Sequence, residues 1–119
     1  MIDISLNNTI TLNHGDSFSA ILFLDEGNDC YCVRHVLQEG EYVCFAIEEP
    51  NQPFDKAIVR KIFTDKDLDE EGNVRIKLQP SDTINVLPGK YYYEIKACTF
   101  DKGEAIISTV VDKTKFLLL

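Results

Sequence analysis

The chain has no tryptophan and only one methionine and two histidines among its 119 residues. His14 and His35 are the only histidines, and neither lies in a recognisable catalytic motif. The sequence therefore gives no support for a hydrolase that uses histidine as its base. A glycine-rich phosphate loop, a G-x-S-x-G elbow and a dinucleotide fingerprint are also missing. We therefore expect no enzyme activity, no catalytic residue and no bound cofactor.

Basic residues are scarce as well. Twelve lysines and arginines face twenty acidic residues, which gives a formal net charge of −8. Such a charge repels phosphate backbones and anionic lipid headgroups, so nucleic acid and membrane surfaces are poor partners. No apolar run approaches the roughly 20 residues needed to cross a bilayer. The N-terminus MIDISLNN lacks a signal-peptide pattern, so we expect synthesis in the cytosol.

What the chain does contain is alternation of apolar and polar residues with a period of two. This pattern predicts strands over residues 10–12, 17–24, 41–48, 57–63, 74–79, 90–98 and 106–119. The acidic stretch 25–29 reads as a loop, residues 30–40 fit a helical turn or a strand equally, and Pro80 to Thr83 can start one helical turn. The sequence thus predicts a single all-β domain spanning residues 1–119. Its architecture would be a sandwich of about seven to eight antiparallel strands.

Three consecutive tyrosines follow the Pro88-Gly89 turn. In a strand, Tyr91 and Tyr93 share one face and Tyr92 lies on the other. We expect Tyr91 and Tyr93 to fill the core, and one of them to act like the corner tyrosine of immunoglobulin-like sandwiches, whose hydroxyl bonds to nearby backbone. Gly89 and Phe18 complete the expected structural residues, with Tyr92 facing outward.

Two clusters resemble metal sites in part. Asp65, Asp67, Asp69 and Glu71 imitate a calcium loop, but Glu70 stands where glycine is required and Ile76 where a bidentate glutamate belongs. This run reads as a solvated loop.

The second cluster is Cys30, Cys32 and His35, to which Cys44 or Cys98 could add a fourth zinc ligand. The C-x-C spacing is atypical of structural zinc sites, and reduced thiols are the expected state in a cytosol. Cys44 and Cys98 also do not fit the immunoglobulin disulfide pattern, which needs a cysteine on the second strand. We therefore predict no metal.

Three stretches, taken in order, resemble the small immunoglobulin-like modules of tailed-phage and prophage tail or baseplate proteins. His14 to Phe18 resembles the family's early G-D-[ST]-hydrophobic strand entry, and Gly72 to Leu78 resembles its glycine-led middle strand. Ser81-Asp82-Thr83, followed by LPGKYYYEI over residues 87–95, resembles its D-T and P-G-K-Y-x-Y-[ED]-I block. The segment 30–40 and the cysteines match no part of the pattern.

This resemblance implies an immunoglobulin-like sandwich that serves as a non-catalytic structural part of a virion tail. Its partners would be other tail proteins or further copies of itself, and it would be made in the cytoplasm of a bacterial host. The alternative is a carbohydrate-binding or surface-binding sandwich that recognises a bacterial surface glycan. In either case Tyr31, Tyr42 and Tyr92 are the expected ligand or partner contacts, because exposed aromatic rings stack on sugars and anchor interfaces.

Overall fold

The structure is a computed structural model that describes residues 3–4, 9–22, 24–28 and 31–119, with backbone alone at residues 3–4, 25–28, 31–34 and 101. The strands of this part of the chain are β1 Asp3–Ile4, β2 Ile10–Leu12, β3 Phe18–Leu22, β4 Asp25–Asn28, β5 Tyr31–Arg34, β6 Tyr42–Glu48, β7 Val59–Thr64, β8 Val74–Leu78, β9 Gly89–Asp101 and β10 Glu104–Leu118. The helical elements are short: α1 is Pro80–Thr83, and single 3-10 turns cover Phe54–Lys56 and Asp65–Asp67.

Two sheets form the predicted all-β sandwich. The larger one has the strand order β1-β2-β10-β9-β6-β7, and β3 pairs with β8 in the smaller one. Strands β10, β9 and β6 of the larger sheet and strands β3 and β8 of the smaller one supply the apolar side chains of the common core. The fold class inferred from the sequence is thus confirmed.

The core lies between the two sheets and follows the alternation in the sequence. From the large sheet it takes Val43, Phe45 and Ile47 of β6, and the Phe45 ring stacks on Tyr93 with 5.6 Å between centroids. From the small sheet it takes the alternate residues of β8, namely Val74, Ile76 and Leu78. Strand β6 lies between β7 and β9, and every residue from Val43 to Glu48 is buried, because both faces of this central strand are covered.

The structure corrects the sequence prediction at two points. Residues 25–28, expected in a loop, form β4 and pair with β5 as a separate hairpin. Hydrogen bonds between backbone groups form this hairpin. The sequence of β4 has no alternation of apolar and polar residues, so the period-two pattern did not predict it. The two sheets of the sandwich contain eight of the described strands, which agrees with the predicted number of seven to eight. Finally, β2 pairs with β10 in parallel, so the sheet is not wholly antiparallel.

Pro80 begins α1 as predicted, with proline in the first turn, where its missing N–H is not needed. The Asp82 carboxylate accepts a hydrogen bond from Gln79 N at 2.7 Å and so holds this turn on the end of β8. Among the described residues, no helix has both the length and the apolar character that crossing a membrane requires.

Candidate interaction surface

Strands β9 and β10 form a hairpin that extends past the rest of the large sheet. Strand β6 pairs with β9 only as far as Cys98, whereas β9 and β10 remain paired out to Asp101 and Glu104. We call the projecting part, residues 99–106, the hairpin arm. Its two-residue turn has φ angles of 52° at Lys102 and 83° at Gly103, as a type I′ turn requires. The arm is therefore a tight, regular hairpin.

The arm is attached to the body through a buried carboxylate. Glu41, 2% exposed, accepts hydrogen bonds from the backbone N–H groups of Gln38 at 2.7 Å and Phe100 at 2.8 Å, and His35 Nε2 donates to it at 2.9 Å. Burial raises the pKa of Glu41, but the hydrogen bonds from Gln38, Phe100 and His35 outweigh that effect and hold this pKa below its usual value. The carboxylate thus takes the place of a strand partner for Phe100.

One side of β10 has a long stretch without a strand neighbour. On that side β10 pairs with β2 only over Phe116–Leu118, so residues 104–115 meet no other strand in the part of the chain that the structure describes. Residues 104–109 are all exposed. We call residues 104–109 the open edge.

The turn geometry determines which backbone groups are free on the open edge. In a two-residue hairpin the flanking residues, here Asp101 and Glu104, form a hydrogen-bonded pair. Because the pattern alternates, Glu104, Ile106 and Ser108 direct their backbone groups toward β9. The N–H and C=O groups of the alternate residues, Ala105, Ile107 and Thr109, point away from it.

The open edge ends at two irregularities. The pairing of β10 with β9 shifts register between Thr109 and Val111 and again between Val111 and Thr114. Bulges of this kind twist an edge and discourage further pairing, as native sheets often use them to do. No bulge, proline or charge interrupts Ala105 to Thr109, so these residues lack the usual protection of an edge strand.

Large apolar side chains are exposed at the same place. Ile107 is 62% exposed, Phe100 47% and Ile106 41%. Phe100 and Ile107 lie on the outer face of the sheet, where Ile107 is opposite the buried Cys98 thiol. A stretch such as Ala105 to Thr109, uncharged and with an exposed β-branched residue at Ile107, is the type of surface on which another strand is added.

A second unusual feature lies on the outer face, at the far end of β6. The side chain of Glu48 is 0% exposed, and neither carboxyl oxygen meets a hydrogen-bond donor within the described part of the chain. The Lys113 ammonium is 3.8 Å away and donates instead to the Gln52 carbonyl at 2.7 Å. Burial, with the neighbouring Glu94 carboxyl, raises the pKa of Glu48 to about 7. This site can hold a proton, but no nucleophile accompanies it among these residues.

A shallow cavity of about 380 Å³ lies beside α1. Its polar walls are largely engaged by the protein itself, since the Asp82 carboxylate lies 3.2 Å from the Lys61 ammonium and the Tyr91 hydroxyl is bonded to Leu87. We assign it no ligand.

The four predicted structural residues lie as follows. Phe18 and Tyr93 are buried in the core. The Tyr91 hydroxyl donates to the Leu87 carbonyl at 2.5 Å, which is the geometry of a corner tyrosine. Gly89 begins β9 opposite Leu118.

The three predicted contact tyrosines do not form one surface. Tyr42 is 36% exposed at the start of β6, whereas Tyr92 pairs with Glu48 at its other end and is half-buried, with Lys113 6.0 Å from its ring centre. The side chain of Tyr31 lies outside the described residues. No aromatic platform of Tyr42 and Tyr92 therefore exists.

The predicted loop and thiol residues also have structural partners. Asp67 accepts a hydrogen bond from Thr64 N, and Asp69 accepts from Glu71 N and Asn73 N, so these carboxylates cap their own loop. Cys44 and Cys98 are buried free thiols. Cys30 and the side chain of Cys32 lie outside the described part, in which no three metal-ligating side chains converge.

Sequence reasoning did not single out Glu41, Glu48 or the open edge. A signal existed for each: two glutamates border the apolar run 42–47, and residues 105–111, AIISTVV, form an uncharged β-branched run. Comparison with protein-family models, curated proteins and solved structures gives no match to this chain.

Proposed function

We propose that the chain is a non-catalytic assembly module that acts through protein–protein contacts, with the open edge of β10 as its binding element. The observation that carries this proposal is the coincidence of free backbone groups at Ala105, Ile107 and Thr109 with the 62% exposed side chain of Ile107. Strand addition uses both features, because main-chain hydrogen bonds supply affinity and alternate side chains supply specificity.

The arm is suited to this role because it is stiff and projects from the body. Its type I′ turn is regular, and the Glu41 carboxylate holds its base through Phe100 N. A preorganised strand loses little conformational entropy when it pairs, which favours binding by a small surface. A glycan-binding role has no comparable support, since Tyr42 and Tyr92 are far apart along β6.

The assembly that we propose is the tail or baseplate of a bacteriophage or prophage virion. Support comes from the resemblance of residues 14–18, 72–78 and 81–95 to tail modules, together with the sandwich fold. The module would be made in the host cytoplasm and join neighbouring tail proteins through the open edge.

The test is incorporation into native particles. A tagged chain, produced in the cells that encode it, is expected to copurify with tail particles and to be visible in them by electron microscopy. Ile107→Lys places a charge on the open edge and should reduce incorporation at least tenfold. Ile62→Lys is the matched control, because Ile62 is 58% exposed on β7 and lies away from the arm. Absence of the chain from particles would refute the tail assignment. Equal incorporation of the two variants would refute the role of the edge.

A further inference from the structure

We infer that the open edge of β10 pairs with the open edge of a second copy of this chain, antiparallel, about a twofold axis that passes through Ile107. This inference rests on the proposed function and names one partner for the same surface.

The alternation of the two sheet faces limits which registers are possible. In a continuous sheet, the twofold axis that relates two antiparallel copies stands perpendicular to the sheet, so paired residues must come from the same face of each copy. Within the regular part of β10, two residues lie on the same face when their numbers differ by an even number. Only such residues can be opposite each other in the dimer.

Hydrogen bonding then selects one register from this set. If Ile107 is opposite its own copy, Ala105 is opposite Thr109 of the second copy, and all three residues with free backbone groups are paired. This arrangement forms about six backbone hydrogen bonds. A shift by one residue in the axis position would place Gly103 of the turn, or Val111 beyond the first register shift, in the ladder. The register centred on Ile107 is therefore the one that uses the whole open edge.

Side chains and charges favour the same arrangement. The two Ile107 side chains, each 62% exposed in the single chain, would cover each other on the outer face. The only charged residue in the open edge is Glu104, which would face Val110 of the second copy, so no like charges are opposed. The residues whose backbone groups would pair, 105–109, are uncharged in a chain whose net charge is −8.

The first experiment measures the mass of the purified protein by light scattering during size-exclusion chromatography over a concentration series. Because the contact is small, we expect a monomer–dimer equilibrium with a dissociation constant on the order of 10 to 100 µM. Ile107→Lys should weaken the dimer at least tenfold, since it opposes two ammonium groups at the axis. Ala105→Pro should weaken it as well, because it removes an N–H that β9 does not use. Ile62→Lys should dimerise like the parent chain.

The second experiment tests the register. Mixing Ala105→Cys and Thr109→Cys chains under mild oxidation should give a covalent dimer, because these positions face each other at a separation that a disulfide spans. Neither variant should link to itself above the background of the parent chain. Circular dichroism of every variant confirms that it is folded before the comparison is made.

A parent chain that stays monomeric throughout the series would overturn the self-pairing, as would a dimer that Ile107→Lys and Ile62→Lys affect equally. Self-linking of either cysteine variant, or a mixture that fails to link, would overturn the register. The incorporation of variants into tail particles tests the proposed function separately from self-pairing. A monomeric chain whose incorporation still depends on Ile107 would show that the open edge binds a different protein.

Discussion

The hydroxyl of Tyr91 joins the turn after α1 to the strand that follows it, by donating to the Leu87 carbonyl. Tyr93, two residues later on the same face, is instead 4% exposed and packs against Phe45. Tyr91 and Tyr93 point to the same face of β9, but Tyr91 stabilises the turn at the rim of the sandwich whereas Tyr93 stabilises the core.

Removing the hydroxyl of Tyr91 should therefore have a small, specific cost. Tyr91→Phe keeps the ring and loses the hydrogen bond to Leu87, so we expect the free energy of unfolding to fall by about 1 kcal/mol. Urea denaturation measures this change. Tyr92→Phe, on the opposite face of β9, is the control and should have less effect. Equal losses in both variants would contradict a corner role.

Glu41 should be among the most sensitive polar positions, because three donors converge on its carboxylate. Glu41→Gln leaves one oxygen to accept them and is expected to destabilise the fold by about 2 kcal/mol at pH 7. The pKa of Glu41 is lowered in the fold, so its contribution is present above the unfolded pKa and is lost as pH falls through the folded one. The difference between the two proteins should thus shrink in acid. A constant difference down to pH 3 would contradict this account.

Glu48 should have the opposite pH dependence. Its pKa is raised in the fold to about 7, so the unfolded chain releases this proton first and stability falls as pH rises from about 4.5 to 7. Glu48→Gln has no carboxyl at this position and lacks this pH dependence. The free energy of unfolding of the variant, relative to that of the parent chain, should therefore rise by on the order of 3 kcal/mol between pH 4.5 and pH 8. Thermal unfolding across that range measures the change.

Three charged side chains near Glu48 contribute to this titration: Glu94, which favours the protonated form, and Lys96 and Lys113, which favour the ionised form. Glu49→Gln is the matched control, since Glu49 is the exposed neighbour. A parent chain whose stability does not fall between pH 4.5 and 7, relative to Glu48→Gln, would show that the buried carboxyl ionises without cost.

Among the secondary-structure elements, the turn of the hairpin arm has backbone strain at one residue, and a substitution there can relieve it. Lys102 has a φ angle of 52°, where asparagine is favoured and Asn-Gly is the preferred pair for a type I′ turn. Lys102→Asn is therefore expected to raise the free energy of unfolding by about 0.5 kcal/mol, whereas Lys102→Val should lower it, because a β-branched residue resists positive φ. Chemical denaturation of the two variants gives the ranking. The reverse order would mean that the turn has another geometry.

The elements also show what sequence patterns can predict here. Strands β6 and β8 were predictable because each lies in one environment along its length: β6 is buried on both faces, and β8 is buried on one. Strand β4 was not predictable, since its DEGN sequence has no apolar alternation and its pairing depends on backbone bonds to β5. For the open edge, the uncharged run over residues 105–111 was a signal for a strand, but whether another strand lies beside β10 is a property of the whole sheet and is not contained in that run.

For the whole molecule, charge sets the conditions under which copies associate. Two chains of net charge −8 repel each other at long range, whereas the proposed contact is made by uncharged residues. Added salt screens the repulsion, so the dimer should tighten several-fold when sodium chloride is raised from about 50 to about 500 mM. Sedimentation equilibrium at the two concentrations measures this. Weakening by salt would indicate that opposite charges hold the copies together, contrary to the register centred on Ile107.

The parallel pairing of β2 with β10 has a consequence for the order of folding. Residues 10–12 lie beside residues 116–118 in the finished sheet, and the buried Leu12 and Phe116 belong to one core. During translation β2 emerges from the ribosome long before its neighbour exists, so the early chain must wait with this apolar segment uncovered. Contacts so distant in sequence slow folding. We therefore expect the pairing of β2 with β10 to form late in folding, and β2 to remain available to incorrect partners until β10 is in place.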